Sequence, residues 1–292
     1  MKGLNRGYLY VFVAAILWAC IGPVAKIAFA EGMKPLEVGF WRAGFGGLAF
    51  VVHGAVSKQL ALPPKDLPGI VCFAFFCIAV FFCAYQIAVE QGGAALASVL
   101  LYTAPAWVAL LARMILGEIL TPLRLLSIGL SVLGAGAVAF GADETGKMTV
   151  SVVAIGCGLL AGFTYAMTYI FGKKFLRRYS SVTVFSYAVP FALFFLLPFV
   201  SLSIPSPKAF GAVLFLGLGT TYGAYLAYYR ALACLDASKV AVVATLEPVL
   251  AAILAFVWWA ERFTLLGYLG AALILIGVLV TILEKNAAEQ AA

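Results

Sequence analysis

Long apolar runs recur along this chain, and the short pieces between them hold nearly all of its charge. A run of about 18 or more apolar residues crosses a bilayer as a helix. Within a bilayer only helices or closed barrels satisfy every backbone hydrogen-bonding group. Barrel strands alternate apolar and polar residues over about ten positions; these runs are apolar on all faces, which predicts helices. Composition agrees: 65% of the 292 residues are hydrophobic and 11% are charged, whereas a soluble domain is roughly a quarter charged. The candidate spans are 8–30, 36–57, 68–90, 94–116, 122–141, 149–171, 181–202, 208–232, 239–260 and 264–284. Pro63-Pro64, Gly92-Gly93, Pro122, Gly141, Pro205 and Pro207 punctuate the connections, which are too short for a soluble domain.

The formal charge of +7 does not point to nucleic acid, because the basic residues are spread over loops between spans. With the N-terminus placed in the cytoplasm, thirteen Lys and Arg residues fall at cytoplasmic ends, among them Arg113, Arg124, Lys173, Arg230 and Lys239. Four fall on the opposite side (Lys34, Lys147, Lys208 and Arg262), and Lys26 and Arg42 lie within spans. That bias predicts both termini inside. Lys2 and Arg6, an apolar run and Ala28-Phe29-Ala30 imitate a signal peptide. The run is too long for one, so it reads as a retained first span. The six cysteines all fall in apolar runs and read as small buried hydrophobes rather than disulfides or metal ligands.

A shift of 143 residues lays the second half of the chain on the first. Ala84-Tyr85 then falls on Ala227-Tyr228, Ala94 on Ala237, Pro105 on Pro248, Glu118 on Glu261, Thr121 on Thr264 and Gly134 on Gly277. Upstream, after a small loop shift, Trp18-Ala19 and Lys26 match Tyr165-Ala166 and Lys173. Five spans per half is an odd number, so the second half enters from the opposite side. The expectation is an all-α membrane protein: ten transmembrane helices as two inverted-topology five-helix repeats, 1–143 and 144–292, in a single membrane domain. Transporters built on this plan bind cargo near the midplane between the halves.

Trp18-Ala19 in the first span, Pro105 and Gly117-Glu118 in the fourth, and Leu246-Glu247-Pro248 and Glu261-Arg262 in the ninth carry a family likeness. On these residues the chain resembles the drug/metabolite transporter superfamily, EamA branch, over essentially its whole length. Within that branch it is similar to bacterial exporters of aromatic amino acids. The resemblance implies a central cavity walled by spans one to four and six to nine, with five and ten peripheral, and it implies export from the cytoplasm.

Polar and aromatic side chains deep in spans are the candidates for cargo contact, because a pocket needs a few placed polar groups on an apolar wall. Ser98, Tyr102 and Pro105 share one face of the fourth span; Thr221, Tyr225 and Tyr228 follow a similar spacing in the eighth. Trp18, Tyr85, Trp107 and Tyr165 complete an expected aromatic pocket suited to ring stacking and to cation–π contact with an ammonium group. Tyr8, Tyr10 and Trp258, nearer span ends, read instead as an interfacial belt. Glu247 lies inside a span beside Pro248, where a carboxylate is expensive. It reads either as a site for a proton or a substrate ammonium, or as a cap for the opened helix. Arg42 reads either as a partner for a substrate carboxylate or, the favoured reading, as snorkelling outward. Glu118 and Glu261, each three residues before a Thr, read as turn chemistry. Gly44, Gly46 and Gly47, the pair Gly158 and Gly162, and Gly217, Gly219 and Gly223 mark close packing, and Pro105, Pro190 and Pro248 are hinge candidates.

Together these residues predict a secondary transporter in a bacterial inner membrane, with both termini cytoplasmic, working by alternating access; the resemblance implies that it exports amino acids, aromatic ones first, and related small metabolites. Its partners are a small-molecule substrate and the lipid bilayer, with no nucleic acid, no cofactor and no metal, and a monomer suffices. No phosphate-binding Gly-rich loop occurs, so ATP is not hydrolysed by this chain; proton coupling through Glu247 and facilitated diffusion both stay open, as does another small organic solute as cargo. An intramembrane enzyme needs a deep Ser/His, paired Asp or a His cluster, and His53 is the sole histidine. A channel is disfavoured by the inverted repeat.

Overall fold

The computed structural model describes residues 2–141, 151–200, 202–259 and 264–284. Among these residues the regular structure is all helical. Helix α1 runs as Lys2–Ala19 and, after a bend at Cys20, Ile21–Ala30. Then come α2 (Pro35–Val56), α3 (Pro64–Gly93), α4 (Leu96–Leu116), α5 (Pro122–Gly141), α6 (Val152–Phe175), α7 (Ser181–Phe199), α8 (Pro207–Cys234), α9 (Ala237–Trp258) and α10 (Leu265–Leu283). All but α2 are long and apolar enough to cross a membrane. Helix α2 has the length, 22 residues, but Glu37, Arg42 and His53 dilute its apolar character. The expected division between residues 143 and 144 lies outside the described residues, as do Lys147, Glu261, Arg262 and Lys285.

The surface is inverted relative to a soluble protein. Leu48, Leu133, Leu269 and Leu283 stand exposed, while Arg124, Ser127, Ser131 and Lys239 are buried. Lipid solvates the former; the latter need one another. For the same reason the cysteines do not share one fate: all six are free thiols, Cys77 is buried, but Cys72 and Cys234 are exposed on outward-facing helix surfaces.

Helix pairing follows the repeat. Helix α3 of the first half lies against α6 of the second, and α8 of the second lies against α1 of the first. Helices α2 and α7 pack together, as do α5 and α10. The α5–α10 seam is a backbone contact: a Cβ added at Gly134 would sit 2.7 Å from the Gly270 carbonyl oxygen, and one at Gly270 would sit 2.5 Å from that of Gly134. In a membrane, where lipid removes the hydrophobic drive between helices, such closeness is what lets two helices associate.

Local irregularities repeat as well. Helix α3 carries a π-helical segment at Ala74–Val80 and α8 one at Leu216–Gly223; the 143-residue shift carries the first into the second. Helices α4 and α9 are each broken, contrary to the continuous spans expected. The breaks fall at Tyr102 (ψ 6°) and Thr245 (ψ −1°), again 143 residues apart. Helix restarts follow at Ala104-Pro105 and Leu246-Glu247-Pro248. Proline explains the position: it lacks an N–H and is tolerated in a helix's first turn. Thr121 and Thr264 cap α5 and α10, their Oγ1 atoms accepting from Arg124 N at 3.1 Å and Gly267 N at 3.4 Å.

Where α4, α6 and α10 end and α5 and α9 begin, the buried charges form one network. The Glu118 carboxylate accepts from the first turn of α9, Ala237 N at 2.7 Å and Ser238 N at 3.2 Å, and from Lys173 Nζ at 3.3 Å. Arg124 donates through Nε to Glu284 at 3.1 Å and pairs with Asp236 at 3.1 Å. Lys239 Nζ donates to the Glu284 carbonyl at 2.8 Å. Glu118 is therefore structural, as its spacing suggests, but it caps α9 rather than its own hairpin.

Candidate functional site

Between the halves lies a cavity of about 310 Å³. It reaches the end of the molecule where α1 gives way to α2, at Phe29 and Pro35. Helices α1, α2, α3, α4, α6, α8 and α9 supply its walls; α5 and α10, paired with each other, stand outside it. Helix α7, expected among the walls, contributes no lining residue.

Of the residues singled out in the sequence, Trp18, Tyr85, Ser98, Tyr102, Tyr165, Tyr225 and Glu247 line this space. The Tyr85 hydroxyl and Ser98 Oγ are hydrogen-bonded at 3.4 Å. Phe81 stacks on Tyr165 with ring centroids 5.5 Å apart, and Tyr225 meets Trp18 edge-on at 5.7 Å. Trp107 and Tyr228 lie behind the wall. The break in α4 turns Trp107 toward Phe163, at 5.5 Å. Tyr228 is 1% exposed and packs under Trp18 at 5.3 Å and against Tyr169 at 5.1 Å. Tyr169, Phe185, Tyr228 and Tyr229 together close the cavity floor. Pro105 and Pro248 are buried at the restarts of the broken helices, and Pro190 is inside α7.

Arg42 departs from the favoured one of its two sequence readings. It does not snorkel; it lines the cavity and donates from Nε to Thr221 Oγ1 on α8 at 2.8 Å. Two glycines bring α2 and α8 so close that the side chain is caught between them. A Cβ at Gly46 would meet Thr221 Cγ2 at 2.6 Å, and one at Gly217 would meet Phe45 Cβ at 2.4 Å. Glu247 faces the same space from the first turn of the restarted half of α9. There the helix dipole favours a carboxylate. Arg42 and Glu247 interact electrostatically but do not touch as an ion pair. Phe82 and Gln86 also line the wall, as does the apolar group Ile21, Ala25, Val38, Leu101 and Leu216. These apolar residues are indistinguishable in the sequence from side chains that face lipid.

Ten membrane helices in two repeats around one shared cavity place the chain among membrane carriers of the two-repeat type. The profile of the EamA-like transporter family matches it twice, over residues 5–140 and 152–283. The chain belongs to that family. It is 30% identical to the uncharacterized transporter YdfC of Bacillus subtilis, over 92% of this chain and 89% of that one. It is 24% identical to the uncharacterized inner membrane transporter YicL of Salmonella typhimurium over the full length of both. It is 27% identical to a probable terminal-alkyne amino-acid exporter of Streptantibioticus cattleyicolor, over 90% of this chain and 92% of that one. A solved crystal structure superposes with a TM-score of 0.82 over 94% of this chain and 96% of that one, at 18% identity, which speaks to the fold alone.

Proposed function

We propose that this chain is a secondary transporter that exports amino acids, aromatic ones among them, across a bacterial inner membrane by alternating access. The observation that carries this reading is the cavity: about 310 Å³, the size range of small-molecule sites, aromatic on its walls, and bearing one cation and one anion among its lining residues. A relative named as a probable amino-acid exporter supports the cargo class. In this reading residues 1–143 and 144–292 are the two moving units, both termini are cytoplasmic, and the cavity faces outward. Pro105, Pro190 and Pro248 are the hinges, a monomer is the working unit, and the chain performs no catalysis. Trp107 and Tyr228 reach cargo in the opposite state, when the floor opens. The test is reconstitution into liposomes with a panel of labelled amino acids. Saturable uptake of aromatic amino acids, stimulated by unlabelled substrate on the far side, is the expected result; flux that rises linearly with concentration contradicts a carrier. Repeating the assay with a pH step across the membrane decides whether Glu247 carries a proton.

A further inference from the structure

Two formal charges face the cavity, and neither is neutralised by contact. Among the described residues the hydrogen bond of Arg42 is the one its Nε gives to the Thr221 hydroxyl, at 2.8 Å. That bond uses Nε alone, so among the described residues the Nη donors have no hydrogen-bond partner. Among the described residues Glu247 has no hydrogen bond and no ion pair; it stands half-buried on the wall, at the start of the restarted α9 helix. Elsewhere among the described residues, buried charges are held at close range, Arg124 by Glu284 and Asp236 and Glu37 by the amide and hydroxyl of Ser203. The pair in the cavity is near enough to interact yet held apart.

While the mouth is open, water solvates both groups. Closure expels that water, and an ionised group left without a partner inside a membrane protein is costly. The cargo must then supply what water did. A solute with only an ammonium leaves Arg42 unmatched; one with only a carboxylate leaves Glu247 unmatched. A solute carrying both satisfies both and adds no net charge. A guanidinium also presents paired donors that fit a carboxylate in a bidentate manner.

Building on the amino-acid reading above, we propose that Arg42 and Glu247 form a zwitterion clamp. Arg42 takes the carboxylate and Glu247 takes the α-ammonium of a free amino acid, with the cargo side chain against Trp18, Phe81, Tyr165 and Tyr225. The clamp makes occlusion conditional on both charged ends, so amines and acids of the same shape are bound weakly and not carried.

The test is competition against labelled L-phenylalanine counterflow in liposomes. The competitors are L-phenylalanine, phenethylamine (ammonium only) and 3-phenylpropionate (carboxylate only). Wild type is expected to prefer the zwitterion over each single-charge analogue by about tenfold or more, the worth of one charged hydrogen-bonded contact. Arg42→Gln removes the preference over phenethylamine and keeps that over 3-phenylpropionate; Glu247→Gln does the reverse. Arg42→Lys, which keeps the charge and loses the paired donors, falls between. Variants too slow for counterflow are read by ligand-induced change in tryptophan fluorescence, with Trp18 in the wall as reporter, after a melting curve confirms folding. Unchanged selectivity in both Gln variants overturns the clamp while leaving amino-acid transport standing, as does equal loss of all three ligands in folded variants. Wild-type protein that neither carries nor binds any amino acid of the panel overturns the underlying reading as well.

Discussion

The two ends of this molecule are built from related sequence and packed in opposite ways. At the mouth, Tyr85 and Gln86 of α3 border open space. At the floor, their repeat partners Tyr228 and Tyr229 of α8 are each 1% exposed and wedged against Tyr169 and Phe185. The same residue, tyrosine, lines a cavity at position 85 and plugs it at position 228. Residue type therefore does not decide which end is open. Charge divides the same way. The floor end carries the saturated network of Arg124, Glu284, Asp236, Glu118 and Lys173, while the mouth side holds Arg42 and Glu247 apart. Saturated charges stabilise a closed seam; charges held apart await something that moves. In this account the inverted repeat lets the two packings exchange between ends.

The sharpest break of that contrast is Arg124→Met. It takes the guanidinium from buried Glu284 and half-buried Asp236, leaving them Lys239 at 3.6 Å and Lys173 at 3.8 Å, and removing one member of a buried ion pair costs about 3–5 kcal/mol. Thermal unfolding in detergent is expected to shift strongly for Arg124→Met and little for Arg42→Gln. Equal shifts in the two variants would erase the distinction between structural and cargo-facing charge. Next in size is Gly270→Val in the α5–α10 seam, where the added side chain meets the backbone of Gly134 and Val138. Overpacking of this kind costs about 1–3 kcal/mol. Because the seam stands outside the cavity, the variant is expected to melt earlier while its substrate affinity stays at the wild-type value, measured by counterflow.

Trp18→Leu acts on the cargo side: it loses ring packing on Tyr225 and Tyr228, lowering the melting temperature, and it weakens affinity for aromatic cargo. An aromatic pair contributes about 0.5–1.5 kcal/mol, so the loss is up to about tenfold in apparent affinity, with smaller loss for aliphatic cargo. The smallest effect concerns acid. Burial pushes the Glu118 carboxyl up, but Lys173 and the hydrogen bonds from Ser238 and Ala237 outweigh it, so in the folded chain it titrates below its ordinary value of 4.5. Its contribution is complete above that value and is lost as pH falls through the lowered one. Melting temperature is expected to drop on acidification below about pH 4.5, and Glu118→Gln, already less stable, flattens that slope. A slope unchanged in Glu118→Gln would remove this carboxylate from the floor end's acid response.

Much of this was legible in the residues because membranes impose few solutions. The ten helices follow from apolar runs, and the two halves from a constant offset that carries Pro105 to Pro248 and Thr121 to Thr264. The wall residues Trp18, Tyr85, Tyr102 and Glu247 stood out as polar or amphipathic groups at depths where lipid rewards neither. The pattern does not state which way a side chain turns once a helix bends. Helix α4 breaks at Tyr102, so Trp107 rotates off the wall that Ser98 and Tyr102 share. Arg42 admits two readings, a partner for a substrate carboxylate or a snorkel, the second favoured. Its depth in α2 suited an escape to the interface, and only the approach of α8 through Gly46 and Gly217, with Thr221 as acceptor, draws it inward. Phe82, Ile21 and Leu216 had no signal, since an apolar residue facing a cavity and one facing lipid look alike in a sequence.

The exchange of packing between the two ends is open to direct measurement by spin-label distances in liposomes. The background would be a chain whose six cysteines are replaced. One label pair, at Glu90 and Lys208, spans the mouth from one half to the other; a second, at Lys65 and Arg230, spans the opposite end between the same two halves. On addition of a transported amino acid, the account predicts that the mouth distance shortens as the opposite distance lengthens, with both populations present at once in the ensemble. Distances that widen or narrow together, or that stay fixed while cargo crosses, would contradict it.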